Sequence, residues 1–338
     1  MIETYTKPSR LQKGDRVGIV SPSSTIEPFP RRTDRGVKNL ENIGLEVVFS
    51  SSAKKSFGHN AGTPQERAND INLMFSDESI KAIVCSTGGL NANAILPLLD
   101  YEIIKKNPKI FCGYSDITVL NNAITHKTGL VTFNGPTLLP TFGEYGGVNE
   151  YTLEYFKKAL FSEVPIGIIT SAAEYSDENL WWEKEDTRPS DMKEAEPMKP
   201  VLSGFAEGVL MGGNLNSLCF LGGTEYMPDF SDSILFLEDE EESTAYTERR
   251  LNYLEQIGVL GKTRGILFAR PYQFITDSQD RTLIDILSFF GEKYEIPIIC
   301  DIDFGHTNPM LTLPLGIRAT MNVSANNARM ELVESAVI

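Results

Sequence analysis

The chain has no run approaching 18 uninterrupted apolar residues, so nothing in it reads as a membrane-spanning helix. Its first residues, MIETYTKPSRLQKGD, hold no apolar stretch of the kind a secretory signal needs, and a cytoplasmic protein is expected. Cysteine is sparse: Cys85, Cys112, Cys219 and Cys300 lie far apart with no C-x-x-C spacing, which reads as free thiols in a reducing compartment. Basic residues are outnumbered, 31 Lys and Arg against 46 Asp and Glu, leaving a net charge of −15. A polyanion would be repelled by most of that surface, so a nucleic-acid polymer is not expected as a partner. A small anionic ligand at a helix N-terminus remains compatible with it. Neither a G-x-G-x-x-G nor a Walker loop occurs, nor any metal-ligand spacing, so no cofactor and no metal are expected.

What is present is an ordinary globular composition, 41% hydrophobic and 23% charged, in a chain of 338 residues, which is long enough for two domains. Short apolar runs alternate with amphipathic ones. Arg16–Ser21, Leu45–Ser50, Ile80–Cys85 and Lys109–Tyr114 read as strands. Arg31–Ile43, Pro64–Phe75, Asn91–Leu99 and Asp116–Thr128 read as helices. Such alternation predicts a covered parallel sheet. The polar stretch from about 163 to 200, with the adjacent Trp181 and Trp182, reads as a connection between domains. Its rings are either an anchor on a neighbouring domain or a wall of a ligand site. The pattern then restarts, with strands at Phe205–Met211, Ser233–Leu237, Gly265–Ala269 and Pro297–Asp301, and helices at Asn214–Phe220, Thr244–Ile257 and Ser278–Phe290. Thr312–Pro314 and Ile317–Val323 read as a terminal hairpin. The expected division is 1–162, 163–200 and 201–338. The first part is a flavodoxin-like parallel-sheet domain with a nucleophile elbow. The last is a mixed α/β domain of swivelling β/β/α type.

Ligands of such sheets sit beyond the C-terminal ends of the strands, and several reactive residues fall there. Ser115 follows the apolar run KIFCGY and opens a helix. A nucleophile needs such a strand-to-helix turn, where the hydroxyl is exposed and helix N–H groups face an oxyanion. The local pattern is G-x-S-D without a trailing glycine, so a plain serine N-cap is the competing reading. A serine nucleophile needs a base, and there are three histidines. His126 lies roughly 16 Å along the helix from Ser115 and is out of reach. His59, in SFGHNAG, and His306, just past a buried strand in CDIDFGHTNP, both remain open. Glu238 follows the buried run SILFL and is placed to orient a base, whereas the rest of the acidic run suits a solvated cluster ahead of a helix. Contact with the base, His306 if it is the one, is therefore expected from Glu238 and not from Glu240, Glu241 or Glu242. Gly88 and Gly89 end another buried strand, where bare backbone can approach a ligand.

These segments together resemble a known family. GDRVGIVSPSS, CSTGGLNANAILPLLDY, IFCGYSDITVL, FNGPTLLPTFGE, GVLMGGNLNSL, ILFLEDEEES, GILFARP and DFGHTNPMLTLPLG are similar to the serine peptidases that comprise the LD-carboxypeptidases and the microcin C self-immunity peptidases. The resemblance implies a triad of Ser115, His306 and Glu238, an oxyanion hole from the backbone N–H groups of Gly89 and Asp116, and a homodimer of two-domain subunits. Murein-trimming members usually carry a GGYG-type loop. Here the loop is Gly88-Gly89-Leu90-Asn91-Ala92-Asn93, which resembles the microcin-immunity branch instead, as does the tryptophan pair. That branch cleaves the amide between an aminoacyl group and a nucleotide, with a connecting-loop aromatic stacked on the base. The substrate contacts so implied are Gly88, Asn91, Trp181, Trp182 and Asn214. The partner is a small aminoacyl nucleotide or short peptide, the alternative activity is trimming of murein tetrapeptides, and an intact triad argues against a mere binding protein.

Overall fold

The computed structural model describes residues 4–240, 243–277 and 280–338. Strands β1 (Arg16–Val20), β2 (Glu46–Phe49), β3 (Ile80–Cys85), β4 (Ile110–Cys112) and β5 (Thr132–Asn134) lie parallel in the order β2-β1-β3-β4-β5. This is the flavodoxin-like order expected of the first half. Four of the five residues of β1 and five of the six of β3 are buried, which is why these strands read as continuous apolar runs. The intervening helices are α1 (Pro30–Asn42), α2 (Pro64–Ser76), α3 (Tyr101–Lys106) and α4 (Thr118–Thr128). Pro64 opens α2 behind a reciprocal cap, Thr63 with Glu66.

After α5 (Glu150–Leu160) the chain builds a second, mixed sheet. Its strands are β6 (Gly167–Ile168), β9 (Lys199–Leu202), β10 (Gly204–Asn214), β11 (Ser233–Glu238), β12 (Gly265–Ala269), β13 (Ile298–Ile302), β15 (Arg318–Ser324) and β16 (Asn327–Leu332), with β7 (Glu174–Tyr175) and β8 (Lys193–Glu194) paired apart from it. Strands β10 to β13 run parallel. The stretch from 163 to 200 is thus more than a tether, because β6 pairs with β16 and β9 with β13.

Two expectations are corrected. Thr312–Pro314 and Ile317–Val323 do not form a hairpin. Strand β14 (Leu313–Leu315), buried throughout, crosses to the first sheet and pairs antiparallel with β5. The hairpin is β15 with β16, whose burial alternates as a half-exposed ribbon requires. The last helix, α8 (Leu283–Tyr294), begins later than Ser278, which lies outside the described residues. Its start is fixed by the reciprocal cap of Thr282 with Asp285, a stronger signal than apolar spacing. The remaining helices are α6 (Leu215–Cys219) and α7 (Thr244–Gln256). No helix among the described residues is long and apolar enough to cross a membrane.

The two sheets are joined through α4, the helix that follows Ser115. Thr118 Oγ1 accepts from Asn214 N at 2.9 Å, and Asn122 Nδ2 donates to Gly212 O at 2.8 Å, all in buried surroundings. Thr118→Val keeps the shape but leaves the Asn214 N–H unpaired, at a cost of about 1–3 kcal/mol. Chemical denaturation is expected to show that loss, and an unchanged midpoint would mean the link does not hold the sheets together.

Candidate active site

The strands of both parallel sets point their C-terminal ends at one cleft of about 260 Å³. Ser115 follows β4, Gly88 and Gly89 follow β3, Glu240 follows β11, Tyr272 follows β12 and His306 follows β13, and all line this cleft. Ser115 has φ +61°, a left-handed conformation that non-glycine residues adopt at local cost and that is typical of a nucleophile held on a sharp turn. A Cβ on Gly88 would lie 2.9 Å from Ser115 Oγ and 3.4 Å from Asp116 N. The glycine loop therefore lays bare backbone directly against the serine, as a main-chain oxyanion site requires.

That loop is fixed from behind. Buried Asp116 accepts through Oδ2 from Ser23 Oγ at 2.6 Å and Ala92 N at 2.8 Å, and Arg67 donates to the carbonyls of Pro22 and Asn91. Burial raises the Asp116 carboxyl, while the Ser23 and backbone hydrogen bonds and nearby Arg67 oppose the rise. A motif reading of G-x-S-D identifies the serine but not this second use of the aspartate.

His306 Nδ1 is 2.9 Å from Glu238 Oε2, and the other oxygen of Glu238 accepts from Asn214 Nδ2 at 2.9 Å. Glu238 is only 1% exposed, so Asn214 and His306 replace the water it has lost. The expectation that Glu240 would stay clear is corrected. Glu240 Oε2 pairs with His306 Nε2, and Oε1 accepts from Ser115 Oγ at 3.4 Å. Glu240 thus stands between the serine and the imidazole, which have no direct hydrogen bond in this arrangement. The loop after β11 runs on parallel to the segment that follows β12, with Glu240 bridged to Tyr272. Glu241 and Glu242 lie outside the described residues. Tyr114 and Tyr272 flank the imidazole, with ring centroids 4.9 and 5.9 Å away. Burial by itself pulls the His306 pKa down, but the charges of Glu238 and Glu240 and their hydrogen bonds outweigh it and hold the value well above the ordinary 6.5.

The other candidates divide. Trp182 lines the cleft, edge-on to Phe29 with centroids 5.1 Å apart and with the Arg32 guanidinium 4.8 Å from its ring centre. Trp181 is 63% exposed and outside the cleft lining. The pair sits on a turn, with Lys184 N and Glu185 N both bonded to Trp181 O. Asn91 bonds His59 Nε2 at 2.7 Å, and neither residue is in the lining of the cleft that holds Ser115. Asn214 is buried behind Glu238 and does not line the cleft. His126 lines a separate cavity with Tyr5 and Asp229. Sequence reasoning set Glu240 aside as solvated and passed over Tyr272 and Arg32. Tyr272 lies just beyond the end of an apolar strand, a signal that was available. Arg32 lies in a polar helix and gave none.

The chain matches the model of the LD-carboxypeptidase N-terminal domain over residues 17–135 and that of the C-terminal domain over 207–321. It belongs to the LD-carboxypeptidase (S66) peptidase family. Among curated relatives, it is 36% identical to the microcin C7 self-immunity protein MccF of Escherichia coli, over 94% of this chain and 93% of that one. It is 34% identical to a probable murein peptide carboxypeptidase of Bacillus subtilis, over 96% and 94% of the two chains. A solved structure of MccF in complex with glutamyl sulfamoyl guanosine superposes with a TM-score of 0.91 at 34% identity, covering 98% of this chain and 99% of that one. Muramoyltetrapeptide carboxypeptidase from Oxalobacter formigenes gives 0.78 at 25% identity, covering 95% and 99%. This S66 chain therefore has relatives of both kinds.

With three histidines in the chain, His306 is readily followed by NMR. Its midpoint is expected above 6.5, and Glu238→Gln is expected to lower it by about one unit or more. His126, which burial lowers, supplies the contrast. A His306 midpoint at or below the ordinary value in the unmodified protein would contradict the two-carboxylate environment.

Proposed function

We propose that this S66 chain is a serine amidase that hydrolyses the amide of aminoacyl nucleotides, in the manner of self-immunity or detoxification. The observation that carries the reading is His306, backed by buried Glu238, in one cleft with Ser115 on its strained turn. In this mechanism Ser115 Oγ attacks the scissile carbonyl carbon and His306 Nε2 takes its proton. Glu238 holds Nδ1–H and stabilises the imidazolium, and the backbone N–H groups of Gly89 and Asp116 receive the oxyanion. His306 then protonates the departing nitrogen, leaving an acyl-Ser115 ester that a water molecule, deprotonated by His306, hydrolyses. Asn214 keeps Glu238 in register. Before attack, Glu240 turns aside so that Ser115 reaches Nε2.

Trp182 favours a nucleotide over a murein tetrapeptide, because it offers an aromatic wall beside the reacting groups. Structures of MccF hold glutamyl sulfamoyl guanosine and aspartyl sulfamoyl adenosine, and a Trp-to-Phe mutant of it holds adenosine monophosphate. The higher structural similarity to MccF than to the muramoyltetrapeptide enzyme points the same way. Trimming of murein tetrapeptides is the competing reading, supported by the murein peptide relative.

Incubation of the purified protein with an aminoacyl sulfamoyl nucleotide and, separately, with a murein tetrapeptide decides between them. Cleavage of only the tetrapeptide would overturn the nucleotide reading. Ser115→Ala is expected to lower kcat by about 10⁴-fold or more, and Glu238→Gln by a comparable factor. Because His306 must be neutral to act as base, kcat/KM is expected to rise with pH through its raised pKa. Trp182→Ala is expected to weaken a base-bearing substrate by roughly ten- to a hundredfold and to spare a base-free amide with the same acyl group. Equal losses on both substrates would make the ring a structural wall only.

A further inference from the structure

The charges around the cleft are mostly satisfied by one another. Arg32 pairs with Glu144 and Asp186, and Glu178 pairs with Arg188 at 2.6 Å. Glu240 differs, because its basic partner is His306 itself. It also accepts from Ser115 and approaches Asn214 Nδ2 at 3.5 Å. Its side chain is one-third exposed, so a change of rotamer carries it toward the cleft mouth without unpacking a core. Such a movement is obligatory if Ser115 is to give its proton to His306. Once displaced, the carboxylate remains beside the acyl group under attack. There an uncompensated negative charge opposes the oxyanion that forms.

From this geometry we infer that Glu240 selects acyl groups carrying a free α-ammonium, which replaces His306 and Ser115 as its partner when substrate enters. The inference rests on the serine-amidase reading of the same cleft and narrows its substrate class. The nitrogen concerned is attached to the carbon next to the scissile carbonyl. In an aminoacyl nucleotide it is a free cation, whereas within a peptide chain it is already part of an amide and bears no charge. A carboxylate poised between nucleophile and base therefore both closes the empty site and distinguishes the two substrate classes.

The test compares kcat/KM for an aminoacyl sulfamoyl nucleotide and its N-acetyl form, in the wild type, Glu240→Gln and Glu178→Gln. Acetylation is expected to cost the wild type about tenfold to a hundredfold and Glu240→Gln less than about threefold, since a charge-assisted contact is lost only in the former. Glu178→Gln is expected to keep the wild-type ratio. An unchanged ratio in Glu240→Gln, a wild type indifferent to acetylation, or a ratio erased by Glu178→Gln would each overturn the assignment. Calorimetric binding of the same two ligands to Ser115→Ala, with and without Glu240→Gln, gives the ratio independently of turnover. Hydrolysis that survives Ser115→Ala would overturn the serine mechanism, whereas an inert Ser115→Ala with an unchanged ratio in Glu240→Gln would overturn only the role of Glu240.

Discussion

A histidine bonded on both ring nitrogens to carboxylates is the interaction around which this molecule is arranged. Glu238 arrives on the last residue of β11, and His306 comes from the loop after β13. For the two to meet, that loop must press its backbone onto the glutamate. A Cβ on Gly305 would fall 2.9 Å from both Cβ and Oε2 of Glu238. The buried carboxylate also needs Asn214, at the end of β10. Three strand ends of one sheet are thereby committed to a single side-chain cluster, and α4 ties that sheet to the serine-bearing one through Thr118 and Asn122.

The same electrostatics explain the guarded state of the site. Two carboxylates around one imidazole favour its charged form. With Nε2 turned to Glu240, His306 makes no direct hydrogen bond to Ser115. Glu240, from the acidic loop after β11, therefore separates Ser115 from His306. On the opposite wall, the polar connecting segment is clamped to α1. Glu183 accepts from Arg31 at 2.6 Å and from Arg32 N at 2.9 Å, and Asp186 pairs with Arg32 and Arg35. Arg32 is only 2% exposed yet touches the Trp182 ring. The clamp gives a fixed position to an aromatic side chain on an otherwise irregular turn.

Much of this is legible in the amino-acid sequence. Continuous apolar runs such as IKAIVC and SILFL mark strands buried on both faces, and Ser115, Gly88, Glu238 and His306 each fall close beyond one. The positive φ of Ser115 leaves no trace in composition, because the G-x-S-D spacing is equally that of an N-cap. The acidic run EDEEES reads as solvated by local rules, whereas in the fold Glu240 turns onto His306 and Ser115. Likewise Thr312–Pro314 looks like half a local hairpin, and its true partner, β5, is remote in sequence.

The sequence by itself determined the alternating α/β order, the first parallel sheet and the residues at its strand ends, because burial on two faces writes itself into neighbouring positions. Tertiary structure alone decided which tryptophan faces the cleft, that Asn214 supports a carboxylate, that β14 crosses between sheets, and that Glu240 stands between Ser115 and His306. Each of these depends on groups remote from one another in the chain. Local periodicity records how a segment meets its own core, but not which distant side chain it meets there.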